Sequence, residues 1–437
     1  MLDDKEIVKD ATSLLTELIR IDTSNPPGNE SRAAEFLSDY LSKEGFESEI
    51  LESVESRGSI ITRYPGEGNK SLMLLSHLDV VPAKHQKGWS IDPFSGVLKD
   101  GFVWGRGALD CKSLVVIEAL TLIYLKREGF KPKGTLLFTS VADEEKGGGM
   151  GAKWLVENHP DKVRVDMLIN EGGGEALPIH GKNHYVVQVA EKGVFWTRLR
   201  TRGTSGHASR PWLGDNALHR MAGVIDKLGS YTTPQLALDV VQAFVSGIDD
   251  GPLTADPDMI LARAEKMDET VHEMVKAMLH MTIVPTMMNA GVKENIIPDE
   301  CEAVVDCRLL PGQDFNYLME QFTEALGTLE GLEIEPIQRD TGTISPHDTE
   351  LFRVIKELTI KADPKAKCVP FMALGGTDSR FFREKFGTVA YGFQPLKMDL
   401  PLDEFMKLVH GVDERISQNN LVYGAKFLIN LVKRILR

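Results

Sequence analysis

The hydrophobic positions of this chain follow two spacings, one typical of helices and one typical of strands. Apolar residues recur at helical spacing from Ile7 to Arg20, and Ser31 is expected to cap a second helix that stops near Gly45. The same spacing predicts later helices at 113–128, 216–228, 268–281, 349–362 and 417–436. Short apolar runs predict strands at 59–64, 71–79, 134–141, 165–170 and 388–393, and a hairpin at 97–104.

The strands fall into two kinds, which indicates two domains. Three apolar strands alternate with helices, as in a largely parallel sheet. Between about 186 and 337 the strands alternate apolar and polar residues instead, as antiparallel strands with one solvent-exposed face do. We therefore expect an α/β domain formed by residues 1–188 and 341–437, with a mixed, mostly parallel sheet flanked by helices. An α+β domain is expected to be inserted into it as residues 189–340.

Charge and cysteine content narrow the class of protein. The formal net charge of −14 argues against a nucleic-acid partner, which would require a basic face. No uninterrupted apolar stretch approaches the ~20 residues of a membrane span, and the acidic segment Met1–Glu6 lacks the apolar region of a secretion signal. The four cysteines contain no C-x-x-C pair. We expect a reduced, cytoplasmic protein with no membrane partner.

Several residues of the types that bind metal ions follow predicted strands or stand at the start of predicted helices. They are His77 and Asp79, Asp110, Glu144 and Glu145, Glu171, and His410. Ligands gather at the carboxyl ends of strands in an open α/β sheet. So many carboxylates could not share one cleft without cations, because like charges that are desolvated together repel each other. Zinc accepts imidazole and carboxylate ligands, and two zinc ions about 3.5–4 Å apart form a known hydrolytic device.

In such a centre each ion would take one histidine, one terminal carboxylate and one shared carboxylate. A further free carboxylate would accept the proton of the attacking water. Glu144 and Glu145 suit this division, because neighbours on an extended turn point in different directions. Two alternatives stay open. The triplet from His77 to Asp79 is by itself more often structural, and Asp166 could replace Glu171, although it precedes its strand instead of following it.

These motifs resemble the co-catalytic di-zinc aminoacylase and carboxypeptidase family, which includes acetylornithine deacetylase, succinyl-diaminopimelate desuccinylase and the glutamate carboxypeptidases. The likeness covers nearly the whole chain. It is carried by five motifs in order: Ser76-His-Leu-Asp79, Gly105-Arg-Gly-Ala-Leu-Asp110, Asp143-Glu-Glu145, Asn170-Glu-Gly172 and His410-Gly411. Each motif is modest alone, and their common order makes chance an unsatisfactory explanation.

The resemblance implies a role for each of these side chains. One zinc would be held by His77, Asp110 and Glu171, and the other by Asp110, Glu145 and His410. Glu144 would be the general base, and Asp79 would orient His77. Co²⁺ or Mn²⁺ are possible in place of zinc. The family also implies a cis peptide bond between Asp110 and Cys111.

The inserted segment resembles the lid and dimerisation domain of the same family. The histidine of Gly203-Thr-Ser-Gly-His-Ala-Ser-Arg-Pro211, His207, is implied to reach the active site of the partner subunit in a homodimer. The substrate-binding residues implied by the resemblance are Asn295, Arg308, Gly375, Gly376 and Thr377. Two features depart from the family. Cys111 follows the bridging ligand, and the stretch 231–281 is long for a lid.

Simpler interpretations remain beside these roles. Arg308 could pair with Asp306 on its own strand, His207 could be a turn histidine, and Cys111 could serve packing alone. The remaining histidines are assigned to the surface or the core: His85, His159, His180, His184, His219, His272, His280 and His347.

The expected function is amide-bond hydrolysis by a carboxypeptidase, dipeptidase or N-acyl-amino-acid deacylase, in which a hydroxide bridging two zinc ions attacks the carbonyl. The substrate would be a small peptide or N-acyl amino acid with a free carboxylate. One alternative is a dedicated acetylornithine deacetylase or succinyl-diaminopimelate desuccinylase. A second alternative is a non-catalytic, metal-stabilised binding protein, against which the presence of Glu144 argues.

Overall fold

The structure is a computed structural model that describes residues 3–83 and 87–437. The chain forms two compact units. Unit 1 comprises the described residues up to 189 together with 345–371 and 377–437, and unit 2 comprises 190–344 and 372–376. His85 lies outside the described residues.

The described residues form helices and strands along the whole of the chain. The helices are α1 (Asp4–Arg20), α2 (Glu30–Ser42), α3 (Lys112–Arg127), α4 (Ala152–Asn158), α5 (Pro160–Val163), α6 (Ala217–Ser230), α7 (Asp239–Asp249), α8 (Pro257–Glu265), α9 (Glu269–Leu279), α10 (Phe315–Leu326), α11 (Glu350–Ala362), α12 (Ser379–Phe386), α13 (Leu402–Leu408) and α14 (Gln418–Ile435). The strands are β1 (Ser48–Glu52), β2 (Gly58–Tyr64), β3 (Ser71–His77), β4 (Val97–Lys99), β5 (Phe102–Trp104), β6 (Thr135–Val141), β7 (Met167–Asn170), β8 (Ala176–Ile179), β9 (Lys182–Glu191), β10 (Gly193–Arg202), β11 (Gly206–His207), β12 (Thr282–Ala290), β13 (Ile296–Ile297), β14 (Glu300–Leu309), β15 (Leu332–Arg339), β16 (Thr343–Ile344), β17 (Lys367–Ala373), β18 (Val389–Gly392) and β19 (Arg415–Ser417).

Unit 1 is organised around a mixed sheet in the order β1-β2-β6-β3-β7-β18-β9. The central strands β6, β3, β7 and β18 run parallel, and the flanking strands pair antiparallel. From Leu72 to Leu75 every side chain of β3 is inaccessible to solvent, since helices cover both faces of the sheet. Met73 and Leu75 pack in one apolar cluster with α4 and α12, whereas α3 packs against β3 and β6. The predicted fold class is confirmed.

Unit 2 contains an antiparallel sheet in the order β12-β14-β10-β15. One face of this sheet packs against α6 and α10, and their common core includes Leu199, Val305, Met221 and Phe322. The other face carries polar side chains, among them Arg200, which forms ion pairs with glutamates of β14 and β15. The alternation of apolar and polar residues along these strands therefore separates a buried face from a solvated one, as expected.

The long segment in the middle of unit 2 is a small group of helices. Helices α7, α8 and α9 contact one another. Their apolar side chains, including Phe244, Ile260 and Val275, are inaccessible to solvent. The sequence indicated only the last of these helices, because the two before it are connected by a loop rich in Asp and Pro.

The predicted helices and strands are found at their expected places within a few residues. The cap predicted for α2 is wrong. The helix begins at Glu30 with Asn29 as its N-cap residue, and the hydroxyl of Ser31, inside the first turn, donates a hydrogen bond to Glu52. Among the described residues no helix is long and apolar enough to cross a membrane.

Candidate metal centre

The ends of three neighbouring parallel strands bring the candidate ligands of unit 1 together. His77 is the last residue of β3, and Glu171 directly follows β7. Glu144 and Glu145 begin a single helical turn that follows β6. Because β6, β3 and β7 are adjacent and parallel, their carboxyl ends lie side by side at one edge of the sheet.

Asp110 stands between two histidines. Its Oδ1 lies 3.0 Å from Nε2 of His77, and its Oδ2 lies 3.0 Å from Nε2 of His410. Glu171 Oε2 is 3.5 Å from His77 Nε2, and Glu145 Oε2 is 3.3 Å from His410 Nε2. The cluster is thus two groups of ligand atoms that share one carboxylate, each group lying within 4.8 Å.

The donor set and its electrostatics fit divalent cations. Hydrogen bonds with Asp110 and Glu145 raise the pKa of His410 to about 10. Burial opposes ionisation of Asp110, yet hydrogen bonds with His410 and His77 lower its pKa below the ordinary value. No hydrogen bond from the described residues reaches Oε1 of Glu145, which is buried. Positive charge is therefore favoured at this point, and imidazole and carboxylate are the ligands that zinc accepts.

Asp79 contacts the centre in two ways. Its backbone carbonyl oxygen lies 3.0 Å from Nδ1 of His77, and its carboxylate Oδ1 lies 3.5 Å from the same atom. A carbonyl only accepts, so Nδ1 carries the proton and the lone pair of neutral His77 is on Nε2, which faces Asp110. The Asp79 carboxylate accepts the backbone N–H groups of Glu144 at 3.0 Å and Glu145 at 3.1 Å.

Glu144 adjoins the ligand cluster without belonging to either group of ligand atoms. Burial raises the pKa of its carboxyl well above the ordinary value, and the negative charge of Glu171 adds to the effect. A carboxyl group with a raised pKa beside a cluster of metal ligands is suited to accept and return a proton near neutral pH.

Several residues that support the centre were not singled out from the sequence. Asn25 Nδ2 donates to Asp79 Oδ2 at 2.8 Å and to Asp143 Oδ1 at 3.0 Å. Arg57 Nη2 donates to the same oxygen of Asp143 at 2.7 Å. Asn25 lies in a loop rich in Pro, and Arg57 in a short turn, so neither position carries a motif that would have revealed it.

Two open alternatives concern residues of unit 1. Asp166 precedes β7, and its Oδ2 accepts hydrogen bonds from the backbone N–H and hydroxyl of Ser71 at 2.8 and 2.9 Å, so it does not join the cluster. The Cys111 sulfur lies among the ligand atoms of the His77 group and accepts the His77 N–H at 3.2 Å. The predicted cis peptide bond between Asp110 and Cys111 is confirmed.

The site residues predicted in the inserted segment belong to unit 2. His207 is exposed and ends β11, where its Nδ1 accepts the backbone N–H of Ser209 at 3.2 Å. The backbone carbonyl of Asn295 accepts the N–H of Ala208 at 3.0 Å. Asn295 therefore lies close to His207, at the point where β11 pairs with β13.

Arg308 donates to both carboxylate oxygens of Asp306, at 2.6 and 2.9 Å, as its simpler interpretation anticipated. Arg308 also lies close to Gly375, since a Cβ atom added at Gly375 would be 3.7 Å from Arg308 Nη1. Gly375 and Gly376 belong to unit 2, as Arg308 does. Thr377 belongs to unit 1, and its carbonyl accepts Nη1 of Arg380 at 2.7 Å.

The remaining histidines of the described residues lie outside the cluster. His184 is buried, His180 and His219 are exposed, and the others are half-buried: His159, His272, His280 and His347.

A mixed α/β sheet with a carboxylate shared between two histidines at the carboxyl ends of its parallel strands is typical of metal-dependent hydrolases. Residues 73–434 match the family described as Peptidase family M20/M25/M40. The chain belongs to this family, and it is a hydrolase.

Relatives and solved structures agree with that assignment. Human N-fatty-acyl-amino acid synthase/hydrolase PM20D1 is 28% identical over 383 residues, which are 83% of this chain and 73% of the relative. A probable succinyl-diaminopimelate desuccinylase of Staphylococcus aureus (strain Mu50 / ATCC 700699) is 27% identical over 387 residues, 86% of this chain and 88% of the relative. The M20 family metallo-carboxypeptidase Sso-CP2 of Sulfolobus solfataricus has the same fold, with a TM-score of 0.76 at 17% identity and coverage of 100% and 99% of the two chains.

Proposed function

We propose that this protein is a di-zinc amide hydrolase that cleaves an N-acyl or peptide bond next to an amino acid with a free carboxylate. The observation that supports it best is the position of Asp110, with one carboxylate oxygen 3.0 Å from each of two histidines. A carboxylate between two imidazoles is suited to bridge two cations, and like charges crowd the site unless cations are bound.

The proposed ligands divide the centre into two halves. The first cation would be held by His77, Asp110 and Glu171, and the second by Asp110, Glu145 and His410. Zinc suits these nitrogen and oxygen donors, and Co²⁺ or Mn²⁺ are alternatives. When bound, the two cations would polarise the scissile carbonyl and lower the pKa of the attacking water.

The residues of the chain then supply proton transfer and positioning. Glu144 accepts a proton from the attacking water and transfers it to the nitrogen of the leaving group. The leaving group therefore departs as a neutral amine and not as an amide anion. Asp79 accepts the N–H groups of Glu144 and Glu145, which holds both carboxylates at the centre. Its carbonyl keeps the lone pair of His77 on Nε2.

For the substrate we assign further residues by family resemblance. Arg308 would bind the substrate carboxylate, with Asn295 and the backbone of Gly375, Gly376 and Thr377 beside the substrate. His207 would act on the scissile carbonyl in the partner of a homodimer. Relatives named as an N-fatty-acyl-amino acid hydrolase and a desuccinylase support an N-acyl amino acid over a longer peptide. The four cysteines are buried and unpaired, which suits a reducing compartment such as the cytoplasm.

The test is a substrate panel with metal-free protein reloaded with Zn²⁺ or Co²⁺. The panel contains N-fatty-acyl, N-acetyl and N-succinyl amino acids and dipeptides with free carboxylates. We expect hydrolysis that requires added metal and that falls when the substrate carboxylate is amidated. Activity restricted to N-acetylornithine or N-succinyl-diaminopimelate would favour the dedicated biosynthetic enzyme. Elemental analysis that finds one ion or none per active chain would contradict the di-zinc mechanism.

A further inference from the structure

Glu414 lies close to the centre, and its carboxylate accepts hydrogen bonds from the backbone of the turn that carries Asp110. Its Oε1 accepts the backbone N–H groups of Leu109 at 2.7 Å and Asp110 at 3.1 Å. Its Oε2 accepts the N–H of Gly107 at 3.0 Å. Glu414 is inaccessible to solvent, so these hydrogen bonds replace the water that a carboxylate would otherwise bind. One side chain thus fixes the backbone on which the proposed bridging ligand sits.

Arg106 extends this contact to the turn that carries His410. Its Nη1 donates to Glu414 Oε2 at 2.7 Å, and its Nη2 donates to the backbone carbonyl of His410 at 3.2 Å. Arg106 is 1% exposed, so this ion pair is shielded from water and salt. The two turns are about 300 positions apart in the chain, yet two buried side chains connect them directly.

The His410 turn requires such support, because its backbone is locally unfavourable. His410 has a φ of 57°, and Asp413 has the same value. A residue with a side chain rarely adopts this left-handed conformation, and it persists where surrounding contacts over-determine it. The carbonyl hydrogen bond from Arg106 is one of those contacts.

We propose that Arg106 and Glu414 form a clamp that holds His410 and Asp110 together and thereby sets the affinity for the second cation. This inference rests on the ligands assigned under the proposed function. Neither side chain is one of the proposed ligands, so both are positioning residues. Mutation of a residue that hydrogen-bonds to a metal ligand without touching the metal typically lowers metal affinity by about 10–100-fold.

The effect should be larger for the second cation than for the first. Of the first cation's three proposed ligands only Asp110 is held by the clamp, whereas His77 and Glu171 stand at the ends of β3 and β7, which are joined by parallel strand pairing from Leu72 to Leu74. Sheet hydrogen bonds therefore position those two ligands without the clamp. The second cation instead depends on His410, whose short turn lies outside that sheet pairing.

The test compares Glu414→Gln and Arg106→Met with the wild type in metal titrations. Metal-free protein is titrated with Zn²⁺ against a competing chelator, and Co²⁺ absorption reports each bound ion separately. Each carboxylate oxygen of Glu414 accepts hydrogen bonds from two donors. In the glutamine variant an NH₂ group replaces one of these oxygens and cannot accept, so two hydrogen bonds are lost. We expect the affinity for the second cation to fall about 10–100-fold, and the affinity for the first, which loses support at Asp110 alone, to fall less. Excess Co²⁺ should restore kcat, and Arg106→Lys should lie between Arg106→Met and the wild type.

Controls separate this role from general stability and from the proposed function. Leu428→Ala truncates a buried side chain of α14 in the same unit, and Asp249→Asn breaks an arginine pair of unit 2. Both should bind two ions like the wild type. Unchanged second-ion affinity in Glu414→Gln and Arg106→Met, or an equal loss in Leu428→Ala, would overturn the clamp alone. A wild type that binds fewer than two ions, or a His410→Ala variant that keeps both, would overturn the proposed function and the clamp with it.

Discussion

Glu144 and Glu145 show how one turn can place two identical side chains in different surroundings. The N–H groups of both residues are held by Asp79, at 3.0 and 3.1 Å. Only Glu145 reaches a histidine, with its Oε2 3.3 Å from His410 Nε2. Burial raises the pKa of both carboxyl groups, and Glu144 alone of the two lies outside the groups of candidate ligand atoms, which favours a proton carrier over a ligand.

Glu144→Ala should therefore keep both ions and lose turnover. The expected loss is about 10²–10⁴-fold in kcat with little change in KM, because the proton transfer occurs in the transition state. Glu145→Ala should lose the second ion and, with it, both binding and turnover. Elemental analysis and steady-state kinetics on the two variants check this. The opposite pattern, with metal lost from Glu144→Ala and kept by Glu145→Ala, would show that the two roles are reversed.

Lys192 provides a test of pH dependence in unit 2, away from the proposed ligands. Burial, with a smaller effect of Arg308, lowers its pKa from an ordinary 10.5 to about 8. Its Nζ donates to the carbonyl of His280 at 2.6 Å. Between pH 8 and 10.5 the unfolded chain holds this proton more firmly than the folded protein does. The free energy of unfolding should therefore increase as the pH rises from 8 to 10.5. Below pH 8 Lys192 is charged in the folded protein, and the full cost of burying that charge lowers the stability.

Lys192→Met should remove that contribution. Urea unfolding of both proteins from pH 7 to 10 measures it as a difference, which cancels the titration of other groups. We expect the wild type to gain stability relative to Lys192→Met as the pH rises. A constant difference over this range would show that Lys192 titrates normally in the folded protein.

At the scale of elements, parallel strand ends and the loops after them provide most of the centre. The turn that follows β6 is held from the N-terminal loop by Asn25, which donates to both Asp79 and Asp143. Asn25 is 3% exposed, so removing its amide would leave buried carboxylate oxygens without a protein donor. This contact ties a loop that lacks secondary structure to the turn bearing Glu144 and Glu145.

Asn25→Ala should loosen that turn while the sheet stays intact. We expect kcat to fall by about 10-fold or more, with near-normal metal content, because Asp79 and Asp143 each lose a hydrogen bond. Asn183→Ala is the matched control, since it removes an amide that donates to Asp363 at 2.9 Å elsewhere in unit 1. Kinetics and elemental analysis compare the two. Equal effects of both variants would mean that Asn25 contributes only to general stability.

At the scale of the whole molecule, metal binding and folding should be linked. The candidate ligands come from segments between His77 and His410, so cations bound to the folded chain would hold distant segments together. At one hundred times its dissociation constant a ligand stabilises the native state by about 2.7 kcal/mol. The chelator-treated protein should therefore melt at a lower temperature, and Zn²⁺ should restore it. Asp110→Ala, measured by the same thermal scan, should be insensitive to both treatments.

The proposed homodimer is also a property of the whole molecule. Strand β12 lies at the edge of the antiparallel sheet of unit 2, and Met287 and Met288 on it are 67% and 53% exposed. An unpaired edge with exposed apolar side chains invites pairing with a second copy. Light scattering should find a dimer, and Met287→Lys should shift it toward the monomer. A wild-type monomer with full activity would remove the role proposed for His207.

The sequence allowed much of the fold and the candidate ligands to be predicted, because those features are local. Apolar spacing distinguishes a buried strand such as β3 from an amphipathic helix such as α1, whatever their partners. A ligand that ends a strand, as His77 does, can be predicted from the strand itself. The five candidate ligands that the structure brings together lie in motifs visible along the chain.

Only the tertiary structure decided which distant side chains support those ligands. Nothing in the local sequence shows that the carboxylate of Glu414 accepts the N–H groups of Gly107, Leu109 and Asp110 and pairs with Arg106. The hydroxyl of Ser31 donates to Glu52 of a neighbouring strand instead of capping its helix. Periodicity reports which face of an element is buried, whereas the pairing of polar groups depends on how separate elements pack in space.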